Sequence, residues 1–95
     1  MTKEQIKEKK IEKIKEIFNA VIELNGIEEN PKPCAFIRVC PHVAWIEIDY
    51  HFDGWKRDKK SDAYTNIPYD ADLNDFISKV DREIYYIKNL KEEGR

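Results

Sequence analysis

Ninety-five residues with 41% hydrophobic side chains suffice for one core and leave little for a second, so a single domain over residues 1–95 is expected. Charged residues make up 38% of the chain, but the net charge is only -2, which excludes the global field of a nucleic-acid- or membrane-seeking protein. The one concentration of like charge is Lys56, Arg57, Lys59 and Lys60 around Asp58.

Residues 3–25 carry the pattern of an amphipathic helix. Ile6, Ile14, Phe18, Val21 and Ile22 recur at three- and four-residue steps, flanked by Ile11, Ile17 and Leu24, and lysines and glutamates fill the remaining positions. Thr2 is the expected N-cap, with Gln5 placed to complete a capping box, and Asn25-Gly26 supplies the stop. Residues 27–32 form a polar connector held extended by Pro31 and Pro33.

A first strand is expected over residues 34–39, followed by a turn at Cys40-Pro41-His42. The stretch 43–55, VAWIEIDYHFDGW, then reads as the central strand running into a tight turn. Its alternation assigns Ala44, Ile46, Ile48, Tyr50 and Phe52 to the core face, and Val43, Trp45, Glu47, Asp49 and His51 to the other. Pairing Ile37 with Ile48 and Val39 with Ile46 sets Arg38 opposite Glu47 and Phe36 opposite Asp49, so opposite charges favour that register. Asp53-Gly54 signals a two-residue hairpin into a return strand that starts at Trp55. The polar run 56–62 interrupts this strand as an exposed loop or bulge, and residues 63–67 resume it with Thr65 and Ile67 inward. A second helix is expected over residues 71–91, capped by Asp70 or Asp72, with Gly94 beyond its end. Its buried stripe is Leu73, Phe76, Ile77, Val80, Ile84, Ile87 and Leu90. These elements specify an α+β domain of α-β-β-β-α order, a three-stranded antiparallel sheet with two helices on one face.

No residue pattern identifies a reaction. If Cys34 and Cys40 share one strand they stand roughly 20 Å apart, beyond the reach of a disulfide, so both are expected as free thiols in a reducing cytoplasm. The same separation argues against a zinc site from Cys34, Cys40, His42 and His51, and no third group orients a Cys40–His42 nucleophile. Glu47, Asp49 and His51 project together from one strand, a spacing that any solvated strand face also produces; no metal is expected there. Three glycines build no phosphate loop, and neither a cofactor, an enzymatic activity nor a membrane segment is expected. What remains is the open sheet face. Phe36, Arg38, Trp45, Glu47, Asp49, His51, Trp55 and Tyr64 form a candidate surface for a protein partner or a second copy of the chain. The alternative is anion or nucleic-acid binding through Lys56, Arg57, Lys59 and Lys60, aided by stacking on Trp55 or Tyr64.

The element order resembles that of double-stranded-RNA-binding domains, which place a basic cluster at the start of the last helix. Here Asp70, Asp72 and Asp75 occupy that position, so no RNA-contacting residue carries over. A second resemblance rests on Pro41, His42, Val43, Trp45, Glu47, Asp53, Gly54, Trp55, Lys56 and Asp62 and covers residues 34–90. Over that span the chain resembles small uncharacterised accessory proteins of bacteriophages and mobile elements of low-GC Gram-positive bacteria. That resemblance implies a short binding protein, of a class in which some members block a host defence factor.

Overall fold

The structure, a computed structural model, describes residues 1–93. Helix α1 (Lys3–Asn25) is followed by strands β1 (Cys34–Cys40), β2 (Trp45–His51) and β3 (Ala63–Pro68) and by helix α2 (Leu73–Glu93). The strands form one antiparallel sheet in the order β1-β2-β3, an α+β arrangement with the expected element sequence. The expected stop at Gly94 lies outside the described residues. No helix among them is long and apolar enough to cross a membrane.

Both helices begin on side-chain caps. Thr2 Oγ1 accepts the Gln5 N–H at 3.1 Å while Gln5 returns its side-chain oxygen to the Thr2 N–H, completing the capping box. At the other helix Asp72 takes the N–H groups of Asn74 and Asp75, which identifies it as the cap and places Asp75 favourably in the first turn.

The core face of the sheet consists of Ala35, Ile46, Ile48, Tyr50 and Ile67, and both helices bury their apolar stripes against it. On α2 the buried residues are Phe76, Val80 and Ile87, as the spacing predicts. On α1 the stripe is rotated from the expected one: Ile17, Ala20, Val21 and Leu24 are buried, whereas Ile22 is 62% exposed and Ile11 is also exposed. The reason lies in the sequence itself. Isoleucines at 6, 11, 14, 17 and 22 populate more than one face, and the small Ala20 lets the helix approach its neighbours closely on the face it occupies.

The β1–β2 register is the expected one, with Ile37 opposite Ile48, Val39 opposite Ile46, Arg38 opposite Glu47, Phe36 opposite Asp49 and Cys34 opposite His51. Two ends of the central strand differ. Ala44 belongs to the β1–β2 turn, not to the strand: the N–H groups of Val43 and Ala44 donate to Cys40 and Pro41 carbonyls. A φ of 54° at Ala44 then swings the chain into β2. Phe52 lies beyond the strand end and is 44% exposed, so it is not a core residue.

The return path also differs from a two-residue hairpin. Gly54, at φ 82°, closes a turn onto the His51 carbonyl at 3.3 Å, but the chain then leaves the sheet and β3 begins only at Ala63. Trp55 is therefore a loop residue and not the first residue of a strand. A strand with one face in the core has no place for Lys56, Arg57, Lys59 and Lys60 in succession, and loop 52–62 carries them into solvent. Asp62 clamps the base of this loop, its carboxylate accepting the Phe52 N–H and its own N–H donating to Tyr50 O, both at 2.8 Å.

Asn25 at the end of α1 behaves as a short extra strand. Its side chain accepts the Ala35 N–H at 2.9 Å and donates to the Ala35 carbonyl at 2.8 Å, satisfying the outer edge of β1 where it enters the sheet. Replacing Asn25 by alanine leaves both half-buried groups unpaired, and a loss of about 1–3 kcal/mol in chemical denaturation is expected.

Candidate functional site

The face of the sheet away from the helices is set by strand alternation. β1 presents Phe36, Arg38 and Cys40, β2 presents Trp45, Glu47, Asp49 and His51, and β3 presents Tyr64 and Asn66. The geometry is organised on Glu47, at the middle of the central strand. One carboxylate oxygen accepts Arg38 Nε at 2.7 Å; the other accepts Trp45 Nε1 at 3.0 Å and Tyr64 Oη at 2.9 Å. Arg38 reaches on to Asp49 through Nη2 at 3.2 Å. Five of the expected surface residues thus form one hydrogen-bonded cluster spanning all three strands.

The indole of Trp45, the phenol of Tyr64 and the guanidinium of Arg38 together hold the Glu47 carboxyl well below its ordinary value of 4.5, at about 2. A carboxylate whose folded pKa is depressed contributes stability above its unfolded pKa and loses it as pH falls through the folded one. Stability should therefore decline between about pH 4.5 and pH 2 through Glu47. Acid titration of Glu47→Gln, followed by circular dichroism, should show a shallower decline over that window than the parent.

Three aromatic residues of this region have nearly half their surface in solvent: Phe36 is 46% exposed, Trp55 47% and Tyr64 49%. Trp55 lies off the sheet and is held in place by Asn30, whose side chain accepts the Trp55 N–H at 2.6 Å and donates to the Trp55 carbonyl at 2.9 Å. That role for Asn30 was not read from the sequence; its one local signal is an asparagine ahead of a proline, suited to the φ of 48° it adopts.

His51 does not serve as a surface residue. It is 6% exposed, packed edge-on against Phe36 with ring centroids 5.5 Å apart, and among the described residues nothing hydrogen-bonds its Nδ1. Alternation put it on the open face, but its position at the strand end, beside Phe36 and at the foot of loop 52–62, encloses it. With His51 enclosed and with Glu47 and Asp49 committed to Arg38, the three do not converge, and no group of metal-ligating side chains occurs among the described residues.

Both thiols are free and buried. Burial raises the pKa of Cys34, and burial together with the nearby Glu47 charge raises that of Cys40. A thiol held protonated is a poor nucleophile, and His42 lies exposed in the turn.

The basic loop is partly neutralised from within. Lys56 pairs with Asp53 at 2.9 Å and Lys59 with Asp62 at 3.3 Å, leaving Arg57 and Lys60 without an ion pair among the described residues. Compared with known proteins, the chain matches no family model, no curated protein and no solved structure.

Proposed function

We propose that the protein is a non-catalytic binding module that docks a protein partner on the open face of its sheet. The observation that carries this reading is the pair of half-exposed rings, Phe36 and Tyr64, beside the Glu47 cluster on the sheet face opposite the helices, with half-exposed Trp55 next to Phe36 in an adjoining groove. Aromatic side chains on a rigid support concentrate binding energy at interfaces, because they bury much area and lose little rotamer freedom. The cluster supplies the rigidity: Arg38, Trp45 and Tyr64 are already fixed by Glu47 before any partner arrives.

Charge supports a protein partner over a nucleic acid. The only arginine on the face among the described residues is bonded to two carboxylates, and two of the four loop cations are occupied by aspartates. The anion-binding reading keeps Arg57 and Lys60 as its residues and requires a steep loss of affinity with salt. The resemblance to phage and mobile-element accessory proteins makes a host defence factor in the bacterial cytoplasm the natural partner, and a second copy of the chain is the other candidate.

The test is capture from an extract of the source cell, with Phe36→Ala/Tyr64→Ala and a Lys56→Gln/Arg57→Gln/Lys59→Gln/Lys60→Gln variant beside the parent. The partner should be recovered by the parent and by the loop variant, and lost by the aromatic double variant. Recovery by the double variant, or salt-sensitive loss by the loop variant alone, would refute the assignment.

A further inference from the structure

We propose that the groove between Phe36 and Trp55 is an arginine-binding site that seats a guanidinium carried by the partner. The groove has a volume of about 640 Å³. Phe36 and Trp55 line it together with Pro31, Cys34 and Ala35, and Glu28 and Glu29 stand along it.

Each part of the lining selects for the same chemistry. Glu28 and Glu29 form no ion pair among the described residues, no lysine lines the groove, and Lys56 and Lys32 pair with Asp53, at 2.9 Å and 3.9 Å. Two uncompensated carboxylates reject an anion and leave a neutral ligand without their charge. The aromatic and aliphatic lining disfavours a strongly hydrated ammonium, whereas a guanidinium is planar, weakly hydrated and able to stack on a ring while its N–H groups reach carboxylates. Tryptophan is the best cation–π partner among the aromatic side chains. Asn30 fixes the Trp55 backbone from both its N–H and its carbonyl, so this side of the groove is anchored before a ligand enters.

The site lies at the β1 end of the open face, since Phe36 belongs to both, and it deepens the protein-partner reading by naming the side chain that the partner contributes. It rests on that reading only for the source of the arginine.

Heteronuclear NMR of the full chain, titrated with N-acetyl-arginine amide and, in separate samples, with the lysine and norleucine amides, tests it without the partner. The arginine amide should shift the Trp55 indole resonance saturably, with the hydrogen-bonded Trp45 indole as an internal reference. Glu28→Gln/Glu29→Gln should weaken this binding about threefold to tenfold, the scale of two exposed ion pairs. An absent or non-saturating shift, an equal response to the norleucine or lysine amide, or undiminished binding by the double variant would overturn the proposal. Saturable arginine binding together with partner capture that ignores Trp45→Ala and Tyr64→Ala, two residues outside the groove, would uphold the groove and reject the face.

Discussion

Replacing Tyr50 by alanine is expected to remove about 3–5 kcal/mol of stability, and replacing it by phenylalanine about 1–2 kcal/mol. Tyr50 is 1% exposed near the C-terminal end of β2 and packs edge-on against Tyr86, with ring centroids 5.1 Å apart. Its hydroxyl donates to Glu83 on α2 at 2.5 Å, so the one side chain joins sheet to helix both by packing and by a charge-assisted hydrogen bond. Alanine removes the ring and leaves a cavity that the surrounding isoleucines fill only in part; phenylalanine removes the hydroxyl alone. Domains of this size hold about 5–15 kcal/mol in total, so the alanine variant should sit near the edge of folding. Urea denaturation of the two variants separates the contributions. Burial and Glu83 both raise the Tyr50 pKa above its ordinary value of 10. Its contribution is therefore complete below pH 10 and falls as pH rises above it, and Tyr50→Phe should lack that alkaline decline.

The second large effect is on binding. Phe36→Ala/Tyr64→Ala should weaken partner affinity by at least about tenfold, as two aromatic contacts at an interface centre are each worth more than about 1 kcal/mol when truncated. The same double variant should stay folded with a loss of about 1–3 kcal/mol, because Phe36 covers His51 and Tyr64 bonds Glu47 while both rings stand nearly half in solvent. Calorimetric titration against the captured partner, paired with a melting curve, distinguishes lost contact from lost fold. A variant that stays folded and binds like the parent would place the interface elsewhere.

The parts of this fold legible from residues are those governed by local rules. Alternation along β2 and the Arg38–Glu47 charge pair specify the register without any long-range information, and Thr2, Gln5 and Asp72 announce the helix starts through their own hydrogen bonds. What escaped a local reading depends on contacts distant in the chain. Nothing near Trp55 says that Asn30 will hold it off the sheet, and nothing near Ala35 says that Asn25 will stand in for a strand. Asp53-Gly54 carries a strong hairpin signal, yet the cations that follow it cannot return along a half-buried strand, and the charge outweighs the turn. Ala44 takes a left-handed conformation that its side chain gives no reason to expect.

The candidate site was legible in the same proportion. Phe36, Arg38, Trp45, Glu47, Asp49 and Tyr64 share a face because strand periodicity demands it. That Glu47 organises the cluster follows only from side-chain geometry, in which three donors from three strands meet one carboxylate. The enclosure of His51 arises at the foot of loop 52–62, and the groove from connector residues 28–31 meeting Cys34, Phe36 and Trp55; neither was legible from periodicity.

The claim that the open sheet face is the binding surface is tested most directly by hydrogen exchange and NMR line broadening on the purified complex. Residues 36–40, 45–49 and 64–66, with Trp55, should be the ones protected or broadened, with the outer surfaces of α1 and α2 unchanged. Protection confined to residues 56–60, or to the helices, with the Phe36, Trp45 and Tyr64 resonances unmoved, would contradict it.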